Sequence, residues 1–177
     1  MKTVTAQVHW IDGPWSGRLA ISSRPRGGDW LEDEVRSWQQ TGLNIIVSLL
    51  TDDEITDLSL NQEAALCEAY GLHFQVFPIP DRGIPSSRRN TLDFLRKLEK
   101  APGDGMRVLI HCRQGIGRSA LMAASLLVIT GVDPEGAFQR VGAARGVTVP
   151  ETAEQRNWLT DFSRELVTNR TKHQVRT

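Results

Sequence analysis

Residues 107–119 read Arg107-Val108-Leu109-Ile110-His111-Cys112-Arg113-Gln114-Gly115-Ile116-Gly117-Arg118-Ser119, and a mostly apolar run follows over 120–129. The pattern predicts a short buried strand over 108–110, a glycine-bearing loop over 112–117 and a helix opening at Arg118. A strand–loop–helix unit of this kind aims loop N–H groups and the positive end of a helix dipole at one spot, which suits an anion. A thiol in such a setting ionises readily and becomes a nucleophile at neutral pH. The planar fork of Arg118 fits two oxygens of a phosphate. The chemistry implied is attack of Cys112 on a phosphorus atom held by Arg113, Gln114, Gly115, Ile116, Gly117 and Arg118. A cysteine that merely ended a core strand would have no use for Gly115, Gly117 and Arg118 beside it.

Outward from this unit, strands are predicted at 19–21, 44–50 and 73–77. Helices are predicted at 30–40, 60–70, 86–101, 118–130, 134–145 and from 152 to about 167. Asp29 reads as the cap of the first helix, with Leu31, Val35 and Trp38 on one face and Gly42 as its stop. Leu92, Leu95 and Leu98 define the inward face of the helix over 86–101. The run over 44–50 is continuously apolar after Asn44, as expected of a parallel strand covered on both faces. This alternation predicts an α/β fold with a central, mostly parallel sheet of four to five strands flanked by helices. One domain is expected over 1–167, followed by a polar, frayed tail over 168–177. Ligands of such sheets bind outside the carboxyl ends of the strands, so the loops after the neighbouring strands should face Cys112.

One of those loops covers 78–85, Pro-Ile-Pro-Asp-Arg-Gly-Ile-Pro, where Asp81 is the sole acid. Phosphoester cleavage needs a proton for the leaving oxygen, and a placed carboxylic acid is the usual donor. Taken alone, Asp81 would read as a turn aspartate between prolines. His111 is expected to hydrogen-bond the loop and keep Cys112 oriented rather than to transfer a proton. The Ser119 hydroxyl can stabilise the thiolate and ease its departure. Asp52, Asp53 and Glu54 follow a buried strand on the side where the site should be; a cap for the next segment is the favoured reading, a place at the site the other. Arg24, Arg26, Arg88 and Arg89 lie in or near loops, where they either shape an anionic substrate surface or stay solvated. No His or Cys spacing suggests a metal, and no cofactor is expected.

The run His111-Cys112, five residues, Arg118, Ser119 resembles the signature of the cysteine-dependent protein phosphatases, and the Ile-Pro-Asp loop resembles that of the small atypical dual-specificity members. The likeness extends over roughly 19–162. It implies a protein tyrosine phosphatase-like fold and metal-independent hydrolysis through a cysteinyl-phosphate intermediate, with Asp81 as acid. It also implies that Gln155, in the stretch Glu151-Thr152-Ala153-Glu154-Gln155, orients the hydrolytic water. Thr152 and Gln155 equally form a capping box for the last helix. Glu151 is a further candidate acid near the loop. Some relatives protect their nucleophile with a second cysteine, which here would be Cys67; packing of Cys67 inside the helix over 60–70 is the favoured alternative.

The substrate expected from the resemblance is a phosphorylated protein, phosphotyrosine with or without phosphoserine and phosphothreonine. The single tyrosine, Tyr70, is poorly placed to deepen a pocket. Phosphoinositide-specific relatives carry lysines in the loop, and Arg113 keeps that alternative open. An RNA 5′-phosphatase and a phosphate-binding module without turnover are the remaining alternatives. Lys plus Arg and Asp plus Glu number 21 each, so no overall field draws the chain toward nucleic acid or a membrane surface. Two cysteines, no run of 18 apolar residues and no visible secretory signal lead to a cytoplasmic protein, expected to be monomeric.

Overall fold

The structure, a computed structural model, describes residues 6–174. Five strands form one sheet in the order β1-β2-β5-β3-β4. They are β1 His9–Ile11, β2 Arg18–Ser22, β3 Ile45–Ser48, β4 His73–Val76 and β5 Arg107–His111. Strands β2, β5, β3 and β4 are mutually parallel, and β1 pairs antiparallel with β2. The apolar runs in β2, β3 and β5 follow from helices covering both faces.

The helices are α1 Leu31–Gln40, α2 Asp52–Asp57, α3 Glu63–Ala69, α4 Arg88–Gly103, α5 Arg118–Ile129, α6 Pro134–Arg145 and α7 Ala153–Gln174. Alternation along the strands sorts the core into two layers. Leu19, Ile21, Val47, Val108 and Ile110 face α4 through α7, while Ala20, Ile46 and Leu109 face α1 and α3. All twelve residues of α5 are buried, so the helix that opens at Arg118 is a rigid central column.

Three expectations are corrected and one element is added. Strand β1, unread in the sequence, caps the sheet edge beside β2. Asp29 does not cap α1: Gly28–Trp30 is a 3₁₀ turn that runs directly into the helix, and the N-cap position, Trp30, makes no side-chain cap. The acidic stretch is itself a helix, α2, closed by a capping box between Thr51 and Glu54. The last helix, expected to end at about 167, continues to Gln174. Arg170 donates to the carbonyl of Ile129 at 3.1 Å, tying α7 to the C-terminal end of α5, where a cation is favoured. Residues 175–177 of the expected tail lie outside the described residues. Leu92 is half-buried against the core that Leu95 and Leu98 enter fully.

Register aligns Ser22, His111 and Ser48 at the carboxyl ends of β2, β5 and β3. The loop over 112–117, the turn into α2 and the loop over 78–85 therefore leave the sheet on the same side.

Candidate active site

Cys112 follows β5 directly and is buried. Its Sγ accepts the N–H of Gly115 at 3.3 Å, and Ser119 Oγ lies 3.3 Å away on the first turn of α5. The loop folds back on itself because Gly115 has φ +72°, a left-handed conformation that favours glycine. A Cβ there would also lie 2.6 Å from the Ser22 carbonyl carbon. The loop's outer side is held by its carbonyls. Arg145 donates to the oxygens of Gly115 at 3.1 Å and Gln114 at 3.2 Å, and Arg24 N–H donates to that of Arg113 at 3.3 Å. On the inner side the Gly115 N–H points to Cys112 Sγ.

Arg118 is 1% exposed, yet four of its five N–H donors have oxygen partners. Nη1 donates to Glu54 Oε2 at 2.7 Å and to the Ile79 carbonyl at 2.8 Å. Nη2 donates to Glu54 Oε1 at 2.8 Å and to Asp81 Oδ1 at 2.9 Å. Burial works against the guanidinium charge, but the hydrogen bonds to Glu54 and the negative charges of Cys112, Glu54 and Asp81 outweigh it, so Arg118 titrates above its ordinary value. Burial likewise opposes the Glu54 carboxylate. The donors Arg118 and Thr51 hold it below the usual range all the same. Glu54, for which a cap is the favoured reading in the sequence, is thus the principal anchor of the arginine, and it lies 3.8 Å from Arg113 as well.

The loop over 78–85 brings Asp81 to the same guanidinium, with its side chain half exposed. Ile79 N–H donates to the Leu49 carbonyl at 3.0 Å, which continues the β3–β4 pairing into the loop and sets the height of Asp81. The expected capping box of α7 is present: Gln155 N–H donates to Thr152 Oγ1, and Gln155 Oε1 accepts the Thr152 N–H, both at 3.2 Å. Gln155 Nε2 also donates to the Gly83 carbonyl at 3.0 Å. Glu151 pairs with Arg82 at 2.7 Å. Both residues border the phosphate-loop candidate, since a Cβ on Gly117 would lie 2.7 Å from Glu151 Oε2 and 3.2 Å from Gln155 Nε2. Ile116 packs against the core side of the loop.

His111 is buried but does not bond the loop. Its Nε2 lies 2.6 Å from the buried Glu63 Oε1, its ring stacks on Trp38 at 6.0 Å, and its Nδ1 has no hydrogen-bond partner among the described residues. The His111–Glu63 pair was not legible in the sequence. Cys67 sits in the α1–α3 layer, on the other side of the sheet from Cys112. Burial first, and then the nearby Glu63 charge, push its thiol up to about 12. Among the described residues no group of three or more His, Cys, Asp or Glu is arranged to hold a metal ion, and no helix is long and apolar enough to cross a membrane.

Comparison with known proteins gives a family match over residues 5–173 to a domain described as "PTP-SAK: Swiss Army Knife protein, DSP-PTPase phosphatase domain". The cyclin-dependent kinase inhibitor 3 of Sus scrofa is 28% identical over 138 residues, 77% of this chain and 65% of the relative. The chain thus spans a little under two thirds of that relative's length. The crystal structure of kinase associated phosphatase, with its catalytic-site cysteine replaced by serine, superposes with a TM-score of 0.85 at 22% identity, covering 94% of this chain and 98% of that one. The active form of Tk-PTP superposes with a TM-score of 0.73 at 28% identity, covering 89% and 96%.

Proposed function

We propose, for a chain that belongs to the dual-specificity family of cysteine-based phosphatase domains, that it hydrolyses phosphomonoesters on proteins through a phosphocysteine intermediate. The observation that carries the reading is the setting of Cys112: a sulfur that accepts a loop N–H and faces the Ser119 hydroxyl, at the head of a helix that opens with the buried, acid-anchored Arg118.

In the first step Cys112 Sγ attacks phosphorus. The S–P bond forms, the P–O bond to the leaving group breaks, and Asp81 gives its proton to the leaving oxygen. The loop over 113–117 and Arg118 hold the other phosphate oxygens. For Arg118 to present two parallel donors, its Nη2 must turn from Asp81 to the phosphate. Substrate binding thereby frees the acid for its task. In the second step water attacks phosphorus and loses its proton to Asp81. The thiolate departs with the Ser119 hydroxyl donating to it. Gln155 keeps one N–H beyond its bond to Gly83, on the side of Gly117, with which to orient that water.

The proposed substrates carry phosphotyrosine, with or without phosphoserine and phosphothreonine. The test is hydrolysis of an aryl phosphate with and without EDTA, by wild type and Cys112→Ser, followed by phosphopeptides of all three residues and a phosphoinositide. EDTA-resistant, vanadate-sensitive turnover that Cys112→Ser abolishes is expected, with peptides preferred. A serine variant within tenfold of wild type, or a stringent need for added metal, would overturn the mechanism; preference for the lipid would overturn the substrate class.

A further inference from the structure

The chain beyond Ile79 leaves the sheet and returns at α4. Ile79 itself is secured on both sides, by Leu49 through its N–H and by Arg118 through its carbonyl. Past that point, over 80–84, three polar ties join the loop to the rest of the molecule among the described residues. One is Asp81 to Arg118, the second is Arg82 Nη1 to Glu151 Oε1 at 2.7 Å, and the third is the Gly83 carbonyl to Gln155 Nε2 at 3.0 Å. Within the loop, Gly83 N–H closes a turn on the Pro80 carbonyl at 2.8 Å, and Arg82 sits at its corner with φ +58°. A left-handed corner without glycine is uncommon and persists when the surroundings over-determine it. It sends the neighbouring side chains to different partners, Asp81 to Arg118 and Arg82 to Glu151.

The first tie cannot last through turnover, because the phosphate needs the same guanidinium nitrogen. Once Asp81 is released, the two ties to the 151–155 segment are the polar ones that remain to hold the loop tip over the site, beside the packing of Ile84 against the core. We propose that Arg82 is a positioning residue for the reaction: through its ion pair with Glu151 it holds the acid loop closed while Asp81 is disengaged from Arg118. The inference rests on the reading of Asp81 as the proton donor. Among the described residues no hydrogen bond or ion pair joins Arg82 to Cys112 or to 113–117, so its role is exerted through the acid loop.

The pair is partly solvent-exposed, 63% at Arg82 against 18% at Glu151. Its contribution is therefore modest and sensitive to salt. An exposed ion pair alone is worth up to about fivefold, whereas a misplacement of about 1 Å costs on the order of 10²-fold. The expected loss lies between them, about five- to tenfold, and it falls on one class of substrate. A leaving group that needs a proton feels a displaced Asp81; a strongly acidic phenol does not.

The experiment measures kcat across a series of aryl phosphates, from strongly to weakly acidic phenols, for the full chain and for Arg82→Ala, Arg82→Gly and Arg82→Lys. Melting temperatures are taken alongside. Arg82→Ala and Arg82→Gly should lower the ratio of weak-phenol to strong-phenol rates by about five- to tenfold, with KM little changed. Arg82→Lys should recover most of the ratio, and high salt should reproduce the loss in wild type. Agreement between Ala and Gly separates the missing ion pair from the strained corner, since glycine relieves the backbone. A ratio that stays unchanged, or a loss equal across the whole series, would overturn the inference while leaving the phosphatase reading intact. Wild type that hydrolyses none of the series would overturn both.

Discussion

Neutralising Glu54 while keeping its shape isolates the charge that anchors Arg118. Glu54→Gln retains the N3 position of the α2 capping box, because glutamine can accept the Thr51 N–H as glutamate does. It replaces two bonds between ionised partners, at 2.7 and 2.8 Å to a guanidinium 1% exposed, with one bond to an uncharged acceptor and one N–H set against another. Breaking a buried ion pair from one side costs about 3–5 kcal/mol. The Ile79 carbonyl and Asp81 remain to satisfy Arg118, so the lower end, about 3 kcal/mol, applies. For a chain of this size each kcal/mol lowers Tm by about 2–4 °C, giving a fall of about 6–12 °C by calorimetry at neutral pH. The acid dependence has a definite sign. The folded carboxyl titrates below its ordinary value, so its stabilisation is present above the unfolded value and is lost as pH falls through the folded one. The gap between wild type and variant should therefore narrow in acid. A neutral-pH difference under about 2 °C, below what ~1 kcal/mol would give, or a gap that widens in acid, would refute the account of Arg118.

Arg118→Lys should be nearly as damaging to kcat/KM as Arg118→Ala, because a point charge replaces neither the fork to phosphate nor the fork to Glu54; steady-state kinetics that show most activity restored would contradict planar recognition. Asp81→Asn should lower kcat by about 10²–10⁴ on poor leaving groups and far less on acidic phenols. Its basic pH limb should flatten, and vanadate should bind at least as tightly because Arg118 is relieved of a competitor; an unchanged basic limb with no loss on alkyl phosphates would reduce Asp81 to a turn residue. Iodoacetamide at neutral pH should label Cys112 and spare Cys67, whose thiol is pushed up to about 12 inside the opposite core layer. Peptide mapping after mild peroxide should likewise find Cys112 oxidised without a bond to Cys67, and recovery of the linked peptides would show that the layers open.

What could be read from the chain was whatever lies close together in it. The apolar runs of β2, β3 and β5, the glycines that let 112–117 turn, and the Thr152–Gln155 capping box all depend on neighbours within a few residues. Strand β1 was missed because three residues, His9-Trp10-Ile11, are too few to show a period, and only their pairing with β2 makes them a strand. Helix α2 was missed because its six residues carry little apolar signal, and a capping box at its start looks the same whether or not a helix follows. The largest omissions are electrostatic. Glu54 meets Arg118 across 64 residues, and Glu63 meets His111 across 48. Both acids are buried, and a buried acid needs a partner. No local pattern distinguishes such an acid from one that faces water. Glu63 stood inside a helix that was legible, and the imidazole waiting for it was not.

The central claim is that phosphorus is carried on Cys112. Rapid acid quench of the full chain turning over a ³²P-labelled aryl phosphate, followed by peptide mapping, tests it without passing through any rate comparison. The account predicts label approaching one equivalent on the peptide that holds Cys112, formed and discharged at rates that match turnover, and absent in Cys112→Ser. Turnover with no labelled protein, or label on a different residue that persists in Cys112→Ser, would contradict it.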